Sequence, residues 1–201
     1  MSNLLLVRHG QSEWNLQNRF TGEMDIDLSP LGKVEAYHAG ELLRPFSIDE
    51  CFTSDLKRAI NTLTIILDVI GKPMLPITKD KALNERNYGD LQGLYKAETE
   101  AKYGAEQMLR WRRSFETKPP NGESLKDTYN RTVPYFQKVI APKLLEGKCV
   151  LISAHGNSLR ALMMHLEKIS AHDIENLNLA TGVPRVYELD DKLNIVKAYY
   201  L

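Results

Sequence analysis

Leu4-Leu5-Leu6-Val7-Arg8-His9-Gly10-Gln11-Ser12-Glu13-Trp14-Asn15 begins as an apolar run of strand length and stops at a cation, an imidazole and a glycine. A short continuous apolar run, rather than an alternating one, reads as a parallel strand buried on both faces. Ligands of open α/β sheets sit at the carboxyl ends of such strands, so Arg8 and His9 are expected at a sheet rim. Gly10 lets the backbone bend or approach a ligand closely there. A neutral imidazole can attack without a base to activate it, and an unperturbed pKa of about 6.5 leaves much of it neutral near pH 7. Taken alone, Arg-His-Gly is better read as a structural histidine beside a structural arginine.

A second copy shifts that balance. Cys149-Val150-Leu151-Ile152-Ser153-Ala154-His155-Gly156-Asn157-Ser158-Leu159-Arg160 repeats the apolar run and the His-Gly turn, with Asn157 placed to cap a following helix. Two such turns can bring two imidazoles to one end of one sheet, where helix N-termini and convergent donors bind anions. A metal site is not expected, because neither histidine has a carboxylate or cysteine at ligand spacing.

The bounds agree with an ordinary enzyme-sized domain. The chain has 201 residues, 43% hydrophobic and 26% charged, and its 26 Lys+Arg balance its 26 Asp+Glu. That predicts a single domain over 1–201. Zero net charge gives no reason to expect nucleic acid or a membrane surface as partner, so any anion site needs locally segregated cations. No apolar stretch approaches the roughly 20 residues of a bilayer span. The start shows no charged n-region of a signal peptide. Cys51 and Cys149 fall in apolar segments without metal spacing and read as buried thiols, so the expected location is the cytoplasm.

Along the chain, Ser29-Pro30 opens a helix as N-cap and N1, with Leu31, Val34, Leu42 and Leu43 expected on the sheet. A second strand is expected over 48–53, then Ser54 as a helix cap, with Leu56, Ile60, Leu63 and Leu67 at helical spacing. Arg58 in that first turn opposes the helix dipole, which a bound phosphate would explain. Residues 74–77 suggest an edge strand interrupted by Pro76. Residues 83–93 form a polar, glycine-containing loop, 96–115 one or two helices broken near Gly104, and 118–124 a turn-rich connector. A helix over 124–145 carries Pro134 as a possible bend. After the second His-Gly, Leu159, Leu162, Met163 and Leu166 pack a further helix. Residues 183–189 and 195–200 close as a hairpin. His38, His165 and His172 read as structural or solvated. This alternation predicts a three-layer α/β/α sandwich with a mostly parallel central sheet.

The paired motifs, Leu6-Val7-Arg8-His9-Gly10-Gln11-Ser12-x-x-Asn15 and Ser153-Ala154-His155-Gly156-Asn157, resemble the histidine phosphatase superfamily. Thr53-Ser54-x-x-x-Arg58-Ala59-x-x-Thr62 also fits it. Within it, Leu83-Asn84-Glu85-Arg86-x-Tyr88-Gly89-x-Leu91-Gln92-Gly93 and Trp111-Arg112-Arg113 resemble the phosphoglycerate mutases that depend on 2,3-bisphosphoglycerate. The resemblance runs nearly end to end, to Thr181-Gly182-Val183-Pro184 and the Tyr199-Tyr200-Leu201 tail.

It implies interconversion of 3-phosphoglycerate and 2-phosphoglycerate in glycolysis and gluconeogenesis, primed by 2,3-bisphosphoglycerate without a metal. His9 would carry the phosphoryl group, and Glu85 would be acid and base, a role suited to a carboxyl whose pKa burial or a phosphate raises. Arg8, Asn15, Arg58 and His155 would hold phosphoryl oxygens, with Ser12, Gly156 and Asn157 also on the substrate. Thr21 and Gly22 would bind its carboxylate end, and Tyr88 and Lys96 would contact it while Arg86 supports their loop. Arg112 and Arg113 would clamp it beneath a water-excluding helical lid. The partner is a small phosphorylated metabolite, and a homodimer is among the assemblies the family allows. The runner-up is a histidine-type phosphatase or bisphosphoglycerate synthase/phosphatase, which shares the phosphohistidine. Many bacterial and vertebrate mutases carry a long insertion where this chain has 118–124, with consequences for site closure or association.

Overall fold

A computed structural model describes residues 1–201. Its six-stranded sheet takes the order β3-β2-β4-β1-β5-β6. The parallel part comprises β1 (Ser2–Arg8), β2 (Glu50–Thr53), β3 (Ile77–Lys79) and β4 (Cys149–Ala154), while β5 (Pro184–Leu189) and β6 (Ile195–Tyr200) complete it as an antiparallel hairpin. Alternate residues of one strand feed opposite layers. Leu4 and Leu6 pack with Leu159, Leu162 and Met163 of α8 (Gly156–Glu167) and with Phe136 and Ile140. Leu5 and Val7 pack with Ala39 and Leu43 of α2 (Pro30–Leu43) and Leu63, Ile66 and Leu67 of α3 (Lys57–Val69). Between β1 and α2, Ser12 caps the short α1 (Glu13–Leu16). The mostly parallel three-layer arrangement is the one expected.

Local readings shift in several places. Leu31, Val34 and Leu42 are 51%, 50% and 44% exposed, and α2 instead buries Ala36, Ala39 and Gly40 with Leu43. Helix proximity decides this: a Cβ on Gly40 would lie 2.7 Å from Val69 Cβ, so α2 approaches α3 too closely there for any side chain. Strand β2 starts at Glu50 rather than residue 48. Strand β3 pairs only from Ile77, which faces Cys51, because Pro76 lacks an N–H for the ladder. Ser54 does not cap α3, whose N-cap is Leu56. Nor does Asn157 cap α8; that position belongs to His155.

The helix expected over 124–145 divides into α6 (Leu125–Tyr135), a π-helical stretch Phe136–Ile140 and α7 (Ala141–Leu145). Pro134, inside α6, removes one backbone donor just before the break. Gly104 separates α4 (Lys96–Tyr103) from α5 (Ala105–Arg113), as its position suggested. Met108 and Trp111 of α5 pack on Phe20 and Leu91, which seats this helix beside the loop after α1. No helix is long and apolar enough to cross a membrane.

Candidate active site

Strand register makes the site. β1 and β4 run parallel with Arg8 opposite Ala154, and the His9 N–H donates to the Ala154 carbonyl at 2.9 Å. The next residue on each strand is therefore a histidine, and the two rings lie 5.0 Å apart between centroids. Gly10 serves close approach of backbone: a Cβ there would sit 2.1 Å from the Gly32 carbonyl oxygen at the start of α2. The Gly10 N–H donates to Thr62 Oγ1 at 3.0 Å, which fixes the turn against α3.

Hydrogen bonds define the His9 ring. Nδ1 lies 2.6 Å from the Gly10 carbonyl, an acceptor only, so Nδ1 carries the proton and Nε2 keeps its lone pair. Arg58 Nε donates to that Nε2 at 3.3 Å, while its Nη1 and Nη2 donate to the Met24 and Gly22 carbonyls. Burial, then the charges of Arg58 and Arg8, hold the His9 pKa well below its ordinary value. The ring is thus neutral at pH 7 and its free nitrogen nucleophilic. Burial also pushes Arg58 down, to about 10, which leaves it cationic at neutral pH.

His155 is buried in the same way and its pKa is lowered by burial, Arg58, His9 and Arg8. Its Nε2 meets Ser54 Oγ at 2.7 Å, and its Nδ1 is buried without a partner. The sequence pattern suggests only a cap for Ser54, but its position at the end of β2, beside β4, brings it to His155.

Above the histidines lies a cavity of about 150 Å³ lined by six cations, Arg8, Arg19, Lys96, Arg112, Arg113 and Arg160, against one carboxylate, Glu85. This is the local segregation of charge that a neutral chain needs in order to bind an anion. Three of the cations crowd one another: burial and then Arg112 lower the pKa of both Lys96 and Arg113. Glu85 Oε1 accepts from the Arg86 and Asn157 backbone N–H groups, at 2.9 and 3.0 Å. Those bonds fix the carboxylate and leave Oε2 beside Gly156, where a Cβ would stand 3.6 Å from it and 3.5 Å from Arg8 Nε.

Burial pushes the Tyr88 phenol up, but the Arg86 charge and the hydrogen bonds from Arg86 and Asn157 outweigh it and leave it below its ordinary value. Arg8 Nη1 donates to the Leu179 carbonyl at 2.6 Å, while its Nε is buried and unpaired, as is Thr21 Oγ1. Asn15, Thr21, Gly22, Tyr88, Gly156 and Asn157 line the same cavity.

Ser12 does not join them. It is fully buried at the N-cap of α1, where its hydroxyl accepts from the Asn15 N–H and its own N–H donates to Asn15 Oδ1. These bonds hold Asn15 at the cavity edge. His9, Arg58 and His155 are not on the wall and are 2%, 1% and 0% exposed, but Arg8 and Gly156, the sequence neighbours of the two histidines, do line it. Arg160, Asn178 and Leu179 also line the cavity, with no sequence pattern to mark them as ligands. Arg86 supports its loop as expected, donating to Tyr88 OH and to the Trp111 and Arg112 carbonyls. No group of three His, Cys, Asp or Glu side chains is placed to hold a metal. The unpaired buried Arg8 Nε, Thr21 Oγ1 and His155 Nδ1, under a cationic lining, fit a small polyanion.

Comparison with known proteins agrees with this geometry. A family profile described as the histidine phosphatase superfamily (branch 1) matches residues 4–200. A Cytophaga hutchinsonii protein named 2,3-bisphosphoglycerate-dependent phosphoglycerate mutase is 59% identical over 98% of this chain and 92% of its own. A Sphingopyxis alaskensis protein of the same name is 50% identical over 100% and 99%, in an alignment of 225 positions, longer than this chain. Among solved structures, a mycobacterial glucosyl-3-phosphoglycerate phosphatase complexed with VO3 superposes with a TM-score of 0.82 at 30% identity, covering 92% of each chain. A Bacillus stearothermophilus protein, YhfR, gives 0.84 at 26% identity, over 94% of this chain and 92% of its own.

Proposed function

The chain belongs to the histidine phosphatase superfamily, and from that premise we propose that it is a 2,3-bisphosphoglycerate-dependent phosphoglycerate mutase. It interconverts 3-phosphoglycerate and 2-phosphoglycerate through a phosphohistidine and bound 2,3-bisphosphoglycerate. The observation that carries this reading is the His9 ring, neutral and with Nε2 unprotonated, beside His155 and below a cavity rich in arginine. The mutase relatives at 50–59% identity over nearly their whole length support the specific reaction.

2,3-Bisphosphoglycerate supplies the phosphoryl group that charges His9. Nε2 of His9 attacks phosphorus as the phosphorus–oxygen bond breaks, and Glu85 gives a proton to the leaving oxygen. In the return step the hydroxyl of the monophosphate attacks the same phosphorus, the phosphorus–nitrogen bond breaks, and Glu85 takes the hydroxyl proton. Arg8, Arg58 and His155 stabilise the equatorial oxygens, where charge accumulates in transfer. The His9 Nδ1–H bond to Gly10 holds the ring in one tautomer and orientation through both steps. Asn15, Thr21, Gly22, Tyr88, Lys96, Arg112 and Arg113 bind the rest of the substrate, and α5 covers it from water.

A phosphatase differs only in what attacks the phosphohistidine, and the likeness to the mycobacterial phosphatase keeps that alternative specific. An enolase-coupled assay separates the two. Isomerisation of 3-phosphoglycerate that rises with added 2,3-bisphosphoglycerate, with little phosphate released, is the expected result. Phosphate release equal to or faster than isomerisation would make the protein a phosphatase.

A further inference from the structure

Arg160 lies on α8 one turn beyond Asn157, 4% exposed, with part of its side chain on the cavity wall. Its acceptors are all neutral: Nη1 donates to Asn157 Oδ1 at 3.0 Å, and Nη2 to the Ile174 carbonyl at 2.6 Å and the Arg113 carbonyl at 3.3 Å. Burying a guanidinium against neutral acceptors costs more than burying an apolar side chain of like volume. Stability alone therefore does not account for it, and its contacts point to function.

The first contact orients an amide. A guanidinium donates and cannot accept, so it pins Oδ1 of Asn157 and turns Nδ2 toward Tyr88, whose hydroxyl it meets at 3.4 Å. The second contact ends a helix. The last four carbonyls of an α-helix lack partners within it. In α5 the Arg110 carbonyl accepts from the Ser114 N–H, the Trp111 and Arg112 carbonyls accept from Arg86, and the Arg113 carbonyl accepts from Arg160. Two buried cations thus sit at the negative end of the helix dipole, beside the two residues whose side chains line the cavity.

We propose that Arg160 is a positioning residue for phosphoryl transfer: it fixes the Asn157 amide and, with Arg86, caps α5 so that Arg112 and Arg113 stay over the substrate. This inference rests on the mutase reading for its kinetic consequence. The His9 ring is partnered by Gly10 and Arg58 and not by Arg160, so the chemical step of charging His9, once the bisphosphate is bound, is expected to suffer least. What suffers is retention of the bisphosphate and exclusion of water. A loosened α5 would let water compete with the substrate hydroxyl for the phosphohistidine.

The test compares wild type with Arg160→Met and Arg160→Lys in three measurements. Phosphate released per isomerisation is expected to rise about tenfold or more in Arg160→Met, since small misplacements of a positioning group are costly. Labelling of His9 at saturating 2,3-bisphosphoglycerate is expected to fall by less than the release ratio rises, while the concentration that gives half-maximal labelling increases. Amide hydrogen exchange over residues 105–113 is expected to accelerate, with the sheet unchanged. Arg160→Lys, which keeps the charge but can reach fewer of the three acceptors, is expected to show the same changes in smaller measure, and it carries the comparison if Arg160→Met does not fold.

An unchanged release ratio with unchanged exchange in a folded variant overturns the proposal. So does a uniform fall in labelling and isomerisation together, the mark of a merely structural residue. A wild type that labels His9 but never isomerises would instead sink the mutase reading, and the exchange comparison would still decide the role of Arg160.

Discussion

Ser54→Ala is a demanding perturbation because it removes one oxygen and leaves every assigned phosphate ligand in place. Ser54 Oγ accepts from the Leu56 N–H at 3.2 Å, so its own proton is free for His155 Nε2, 2.7 Å away. The imidazole proton then sits on Nδ1, the buried atom without a protein partner, which in the proposed reaction would donate to a phosphoryl oxygen. Alanine leaves Nε2 buried and unsatisfied, at a cost of about 1–3 kcal/mol. If that cost falls wholly on the transfer step, the rate drops about 5- to 150-fold. A part that falls on folding lowers Tm by about 2–4 °C for each kcal/mol in a chain of this size. Rapid-quench phosphorylation with labelled 2,3-bisphosphoglycerate, alongside thermal melts, separates the two parts. The expected result is slowed labelling of His9 with bisphosphoglycerate Kd within about twofold of wild type. Labelling at the wild-type rate would refute the tautomer assigned to His155.

Other outcomes follow from the same contacts. Glu85→Gln keeps the acceptor for the Arg86 and Asn157 N–H groups but cannot shuttle a proton; transfer is expected to slow by about 10²–10⁴-fold with substrate Kd little changed, and a retained kcat would remove Glu85 from its role. Gly32→Ala would drive a Cβ to 2.0 Å from the Gln11 carbonyl oxygen, so a loss of stability of roughly 1–3 kcal/mol is expected in urea titration, and wild-type stability would show the α2–turn contact to be loose. His9 and His155 have folded pKa values below the unfolded value of about 6.5, so the unfolded chain binds more protons on acidification. Their contribution to stability is complete above about pH 6.5 and is lost as pH falls toward their folded values; a His9→Ala/His155→Ala variant that loses as much stability between pH 7.5 and 5.5 as wild type would contradict this.

The parallel sheet and its reactive rim were legible because continuous apolar runs and His-Gly turns are local patterns. Two runs of that kind point to buried parallel strands with an imidazole at the end of each, while the register that sets Arg8 opposite Ala154 and brings His9 to His155 belongs to the fold. The surface of α2 was not legible, because the spacing of Leu31, Val34 and Leu42 describes a plausible stripe, while the choice of face depends on how closely α3 approaches at Gly40. Ser12 was read as a ligand from its place in the first motif, yet the capping box with Asn15 uses its hydroxyl and N–H. Ser54 and Arg160 escaped for a related reason. Their roles come from partners 101 and 14 to 47 residues away, and no local pattern encodes such contacts. The resemblance located Arg112 and Arg113, but what fixes the end of α5 became visible only from carbonyls satisfied across elements.

The central claim is that Nε2 of His9 carries the phosphoryl group, and it is tested most directly by chemical mapping. The protein is incubated with labelled 2,3-bisphosphoglycerate, quenched in alkali to preserve phosphohistidine, digested and sequenced, and the substituted nitrogen is identified by NMR. The account predicts acid-labile phosphate on His9, on Nε2, and none in His9→Ala. Phosphate on His155, or on Nδ1 of His9, would contradict it.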